Sequence, residues 1–230
     1  MAPANPLIIA LDVDNFDEAF KLIEQIGGAA DFYKVGMELY AVGGMQLVSQ
    51  ISSSGKKIFL DLKLYDIGET VKRAIRQICG TGLVSFLTVH GSRTVMEAAV
   101  EGRGETPTKL LAVTVLTSFD QGDLADLGYN VPISELVALR VRKAAESGID
   151  GIVCSPLEVA RVREIAGPGL QLVTPGVRSA GAAKGDQKRV ATPAEAIRDG
   201  ADYLVIGRQV TRAADPRAAC EQILTEIVTT

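Results

Sequence analysis

Short apolar runs alternate with segments of helical period along the whole 230-residue chain, which is the pattern of βα units on a parallel sheet. About eight such units are legible, and a closed (β/α)8 barrel needs roughly 200 to 250 residues. After the first apolar run comes Leu11-Asp12-Val13-Asp14-Asn15, with no G-x-G-x-x-G to open a dinucleotide-binding sheet. These three observations predict an α/β protein: a (β/α)8 TIM barrel forming one domain over residues 1–230. An open doubly wound sheet is the alternative.

The predicted strands are, in order, Leu7–Leu11, Phe32–Val35, Lys57–Lys63, Val84–His90, Leu110–Leu116, Gly151–Cys154, Leu170–Thr174 and Tyr203–Ile206. The first is the apolar run that stops where Asp12 and Asp14 intervene. The third is the most informative, because Ile58, Leu60, Leu62 and Leu64 fall on one face by strand alternation while Phe59, Asp61 and Lys63 fall on the other. Helices fill the gaps. Gly68-Glu69-Thr70 opens one, Thr192 with Pro193 and Glu195 caps a second, and Asp215 with Pro216 caps a third. No internal repeat, linker or low-complexity tract is present.

Composition narrows the class. A chain that is 47% hydrophobic but only 5% aromatic, without Trp, is expected to build an aliphatic core and not to be disordered. The formal net charge of -4 offers no broad basic footprint, so no nucleic-acid partner is expected. Cys79, Cys154 and Cys220 are far apart and odd in number, which argues against a disulfide framework or a metal knuckle. The one apolar run near the N-terminus is too short to span a bilayer and follows no basic region. A soluble, cytoplasmic protein without membrane association is expected.

The polar residues gather where a barrel would place its chemistry, at the C-terminal ends of the strands. Asp12 ends the first strand, Lys34 lies on the second, Asp61 and Lys63 lie on the third, and Asp66 follows in the turn. Burying an unpaired ion costs several kcal/mol and a buried pair roughly breaks even, so stability alone would favour apolar side chains there. An ion-pair network closing the barrel mouth is the alternative reading of any one of these charges.

A second cluster lies at the far end of the sequence. Thr174-Pro175-Gly176-Val177-Arg178 ends the seventh strand and Gly207-Arg208 follows the eighth, the two places where barrels commonly hold a phosphate. Gly207 allows close backbone approach, and Arg208 can grip two oxygens at once. Residues 178–189, polar and aperiodic, read either as a mobile lid or as an ordinary surface loop. A single histidine, His90, excludes His-based triads and multi-His metal sites; it reads as a structural hydrogen-bonding residue. No G-x-S-x-G elbow and no Walker loop occur.

Several blocks stand in order along nearly the whole chain: Leu11-Asp12, Tyr33-Lys34-Val35-Gly36, Asp61-Leu62-Lys63-Leu64-Tyr65-Asp66-Ile67, Val115-Leu116-Thr117-Ser118, Thr174–Arg178, Gly185-Asp186-Gln187-Lys188-Arg189 and Gly207-Arg208. In these blocks the sequence resembles the orotidine 5'-phosphate decarboxylase family, whose members make UMP in pyrimidine synthesis. The resemblance implies a cofactor-free barrel that binds no metal and works as a homodimer on orotidine 5'-phosphate. It implies an alternating tetrad of Lys34, Asp61 and Lys63 from one subunit with Asp66 of the partner subunit, and it sends Ile67 and Thr70 across the same interface. Asp12 and Lys34 would hold the ribose, Thr117 would meet the pyrimidine, and Gln187, Gly207 and Arg208 would take the phosphate, with Arg178 nearby. Many family members have Pro where Gly68 stands, a departure that touches the start of the interface helix and no catalytic group.

Under that resemblance Lys63 would protonate C6 of the pyrimidine as CO2 leaves. Two rivals share parts of the pattern. A sugar-phosphate lyase such as hexulose-phosphate synthase carries the same D-x-K-x-x-D spacing, but it needs an acidic Mg2+ ligand at the position where Lys34 stands. A non-catalytic phosphate-binding barrel has no need of an ammonium between two carboxylates.

Overall fold

The computed structural model describes residues 3–179 and 191–228. Among these, eight strands alternate with helices: β1 Leu7–Ala10, α1 Phe16–Ile26, β2 Phe32–Gly36, α2 Met37–Ser53, β3 Lys57–Leu64, α3 Gly68–Gly80, β4 Phe86–His90, α4 Arg93–Arg103, β5 Lys109–Val113, then α5 Gln121–Asp126 and α6 Ile133–Ser147. The order continues with β6 Gly151–Val153, α7 Val159–Ala166, β7 Gln171–Pro175, α8 Pro193–Arg198, β8 Tyr203–Ile206, α9 Arg208–Thr211 and α10 Pro216–Val228. All neighbouring strands pair in parallel, and β8 pairs with β1 to close the barrel. The open-sheet alternative is thereby excluded. No helix among the described residues is long and apolar enough to cross a membrane.

Strand alternation divides the core in two. Outward residues such as Ile9, Tyr33, Ile58 and Leu60 pack against the helices, whereas Ile8, Phe32, Phe59, Phe86, Leu111 and Val173 fill the barrel. The expected aliphatic core describes most of the outer layer, with buried Tyr33 as an exception, and describes the barrel interior less well. Phe32, Phe86 and Tyr203 meet edge to face at the N-terminal floor, with centroids 4.9 Å and 5.2 Å apart. Four of the chain's eleven aromatic residues, these three and Phe59, plug the barrel, as their size and edge-to-face preference favour.

That floor is collared by aspartates placed just before strands. Asp150 accepts the Leu110 N–H at 2.9 Å and pairs with Arg103, while Asp202 accepts the Leu172 N–H at 2.7 Å and pairs with Arg163 at 2.7 Å. Each carboxylate ties the start of the preceding strand, so the bottom of the barrel serves stability and the top is left for chemistry.

The caps predicted from sequence are present. The Thr192 hydroxyl accepts the Glu195 N–H and the Glu195 carboxylate reaches back to Thr192, with Pro193 in the first turn. Asp215 Oδ1 accepts the Ala218 N–H at 2.9 Å. Four strands, β1, β4, β5 and β6, are shorter than predicted; the largest difference is at β5, which stops at Val113, not Leu116, because its neighbour β6 has only three residues and offers no ladder beyond Val153. The freed residues 114–118 turn over the barrel mouth.

Candidate active site

Period-2 alternation sets three charges into the barrel mouth. Asp12 continues the inward series of Ile8 and Ala10, Lys34 sits above Phe32, and Asp61 sits above Phe59. The ladder places Lys34 beside Ala10, and Asp61 beside Gly36. Lys34 Nζ lies 2.9 Å from Asp12 Oδ1 and 3.8 Å from Asp61 Oδ2, and Lys63 Nζ lies 2.9 Å from both Asp61 oxygens. Asp12, Lys34, Asp61 and Lys63 thus form a line of alternating sign. Its middle members are largely buried, with side-chain exposures of 11% for Lys34 and 13% for Asp61. Gly36 is part of this arrangement, since a Cβ there would come within 3.0 Å of Lys34 Nζ.

Lys63 reaches the line by a different route from the simple alternation expected of it. Its φ is +49°, the only positive value at a non-glycine position among the described residues. Leu60 pairs with Leu87 and Leu64 with Val89, so four steps along β3 match two along β4. The strand bulges here, and bulges re-aim side chains next to active sites. Left-handed backbone costs an L-residue about 1–2 kcal/mol, which a fold tolerates where the geometry is over-determined. Here the Lys63 N–H is held by the Thr88 hydroxyl at 2.9 Å and its Nζ by Asp61.

These charges border a cavity of about 550 Å3. Val113, Val115, Val153 and Val205 make an apolar wall that complements the charged one. Thr117 and Ser118 border it from the segment after β5, and Gly176, Arg178, Gly207, Arg208 and Arg212 line it from the segments after β7 and β8. Gly176 has φ +81°, a conformation that favours glycine, and it turns the chain from β7 toward Arg178. Burial, and then the nearby Arg208 charge, hold Arg178 below the ordinary arginine range. Two guanidinium groups near each other at one end of a cavity make a binding site for an oxyanion.

Lys63 also borders a second, more apolar cavity of about 420 Å3, lined by Tyr65, His90, Leu116, Phe119 and Tyr129 among others. His90 differs from its expected hydrogen-bonding role. Its Nδ1 is buried with no hydrogen-bond partner among the described residues, its ring lies against Tyr65 with centroids 4.3 Å apart and planes tilted by 34°, and burial, followed by the Arg140 charge, holds its imidazole down at about 4.

Of the residues singled out in the sequence, Asp12, Lys34, Asp61, Lys63, Thr117, Arg178, Gly207 and Arg208 line the larger cavity. Asp66, Ile67 and Thr70 do not line it within this chain; they are exposed at the start of α3, and Asp66 Oδ1 accepts its neighbour's N–H from Ile67 at 2.7 Å. The rim of one chain therefore gathers four of the five charges counted from sequence. Gln187 and positions 180–189 of the 178–189 segment lie outside the described residues. Sequence reasoning missed Asp14, Glu38 and Arg212 on the cavity wall and Thr88 beneath it. Arg212 follows Arg208 by four residues, a helical spacing that could have revealed it; Thr88 needed the inward series Phe86, Thr88, His90.

A family model described as "Orotidine 5'-phosphate decarboxylase / HUMPS family" matches residues 5–223. An orotidine 5'-phosphate decarboxylase of Rhodopseudomonas palustris strain BisA53 is 53% identical over 222 residues, covering 96% of this chain and 94% of that protein. The enzyme of the same name from Methylobacterium nodulans is 52% identical, covering 98% of this chain and 97% of its own. The crystal structure of orotidine 5'-phosphate decarboxylase from Lactobacillus acidophilus superposes with a TM-score of 0.85 at 37% identity, over 97% of this chain and 99% of that one. With the match running nearly end to end, the chain belongs to the orotidine 5'-phosphate decarboxylase/HUMPS family.

Proposed function

We propose that this single-domain barrel decarboxylates orotidine 5'-phosphate to UMP and CO2, the last step of UMP synthesis, with Lys63 as the proton donor. The observation that carries the reading is the line Asp12, Lys34, Asp61, Lys63, ending in an ammonium at the cavity. When the bond between C6 and the carboxylate breaks, CO2 departs and an electron pair remains in the ring plane, where the π-system cannot delocalise it. An ammonium at C6 stabilises that charge and then donates its proton to C6, becoming an amine that solvent reprotonates. Asp61 keeps the ammonium in place, and the apolar valine wall accepts the ring. Arg178 and Arg208 take the phosphate, whose binding energy is available to drive a reaction at the far end of the molecule.

The family also contains sugar-phosphate lyases, and Lys34 discriminates between the two chemistries. A cation at that position, 3.8 Å from Asp61, repels the Mg2+ that stabilises an enediolate, so the reaction proceeds without metal or other cofactor. The decisive assay follows the ultraviolet absorbance of orotidine 5'-phosphate with and without EDTA. Turnover that survives chelation is expected; absence of turnover, or its loss on chelation, would overturn the reading.

The active unit is a homodimer in the cytoplasm, with Asp66, Ile67 and Thr70 completing the partner's site. Tyr65 and Ile67 support this, being 68% and 73% exposed on the segment that leads from Lys63 into α3, where an apolar surface calls for a partner. The three cysteines, free and buried, suit a reducing compartment. Co-assembling Lys63→Ala with Asp66→Asn chains tests the sharing. Each variant alone is expected to be inactive, whereas random pairing leaves about one site in four intact; no recovery would refute a shared site.

A further inference from the structure

We infer that Thr88 is a positioning residue for this reaction, fixing the bulge that aims the Lys63 ammonium into the cavity; the inference rests on the decarboxylase reading above. Where β3 slips against β4, Asp61, Leu62 and Lys63 face the single residue Thr88, since the flanking pairs are Leu60 with Leu87 and Leu64 with Val89. Thr88 is fully buried and follows Phe86 in the inward series, directly beneath the charged line. Its hydroxyl donates to Asp61 Oδ1 at 2.9 Å and accepts the Lys63 N–H at 2.9 Å. A hydroxyl has one proton and spare lone pairs, so both bonds coexist.

The two bonds act on the same object. The bond from the Lys63 N–H replaces the ladder bond that the bulge removes and pins the backbone at φ +49°. The bond to Asp61 orients the carboxylate that holds Lys63 Nζ. Two other buried threonines are ordinary by comparison: the Thr108 and Thr114 hydroxyls donate to the backbone carbonyls of Val84 and Val153 at 2.8 Å and 3.2 Å. Among the described residues, only at Thr88 does such a hydroxyl bridge the side chain and the backbone of two catalytic-line residues. Without it, Lys63 is free to relax toward ordinary strand backbone, carrying its ammonium away from the reacting carbon.

The test compares Thr88→Val, Thr88→Ala and Thr88→Ser with the wild type in steady-state decarboxylation of orotidine 5'-phosphate, each variant first checked for folding by thermal melting. Val keeps the volume and loses the hydroxyl, Ala loses both, and Ser keeps the hydroxyl. Positioning predicts that kcat falls about 10- to 100-fold for Val and Ala alike, the loss expected for a hydrogen bond to a charged group. KM should stay within about threefold, and Ser should recover kcat to within about threefold of wild type. A packing role instead makes Ala much worse than Val and leaves Val near wild type. The inference is overturned if Val retains kcat within about twofold, if the loss falls on KM alone, or if Ser is as slow as Val. A wild-type chain inactive on this substrate would sink the decarboxylase reading itself, and this inference with it. An active wild type accompanied by an unimpaired Val variant sinks only the role of Thr88.

Discussion

Replacing Lys63 by glycine and, separately, by alanine separates the chemistry of the residue from the backbone it occupies. Both substitutions remove the ammonium proposed to meet the carbanion, and general acid–base catalysis alone contributes about 10²- to 10⁴-fold. Each variant is expected to lose at least about a thousandfold in kcat. Their stabilities should differ. The side-chain ion pair is lost in both and cancels from the comparison; with Lys63 34% exposed it contributes little in any case. Asp61 is not orphaned in either, because Lys34 and Thr88 remain beside it. What differs is the backbone at φ +49°. Alanine keeps the left-handed strain of about 1–2 kcal/mol, whereas glycine sheds it but gives up about 0.4–1 kcal/mol to its greater freedom in the unfolded chain. Glycine should therefore be more stable than alanine by roughly 0.5–1 kcal/mol, or about 2 °C in melting temperature for a domain of this size. At an ordinary strand position the sign is the reverse. Differential scanning fluorimetry resolves the difference, and an alanine variant melting at or above the glycine variant would show that position 63 carries no strain.

Three further outcomes are expected. Gly68→Pro should raise stability by about 0.4–1 kcal/mol, because Gly68 is the first residue of α3, Ile67 before it is extended at ψ 144°, and a Cβ there meets Ala98 only at an ordinary 3.5 Å; a lower melting temperature would contradict this. His90→Phe should flatten the acid limb of stability. With the folded imidazole at about 4 and the unfolded one near 6.5, wild type is fully stable above about pH 6.5 and loses roughly 1–2 kcal/mol as pH falls toward 4, after allowance for solvent screening of a half-buried ring. Parallel acid-denaturation curves for the two proteins would refute it. Arg208→Ala should lower kcat/KM by about 10²- to 10³-fold through loss of paired charge-assisted bonds to phosphate, and wild-type kcat/KM would remove Arg208 from the phosphate site.

Much of the fold was legible because it follows from local periodicity. The inward series Ile8–Ala10–Asp12, Phe32–Lys34 and Phe59–Asp61 is the period of a strand, so the residues that share a face could be read off without coordinates. Strand lengths were less legible, since an end is set by a neighbour: Thr114 to Leu116 are apolar enough for a strand, yet β6 is too short to pair with them. The aromatic floor escaped notice for a related reason. Phe32, Phe86 and Tyr203 are separated by 54 and 117 positions along the chain, and only barrel closure brings them together.

The site divides along the same boundary between local and non-local causes. Alternation correctly oriented Asp61, but for Lys63 it led to the cavity by reasoning that the backbone does not follow, because a bulge is a property of two strands and not of one. The residue that marks the bulge from the other side, Thr88, reads in isolation as one more threonine in a β-rich run. Its significance comes from facing three residues at once. Asp66 shows the complementary limit: its sequence position beside Lys63 suggested a common rim, yet the turn into α3 carries it out of this chain's cavity. An exposed carboxylate flanked by exposed Tyr65 and Ile67 is a poor arrangement for an isolated chain. In the proposed homodimer a second copy would supply the cavity for that carboxylate, which is why the co-assembly experiment bears on the chemistry as much as on the oligomeric state.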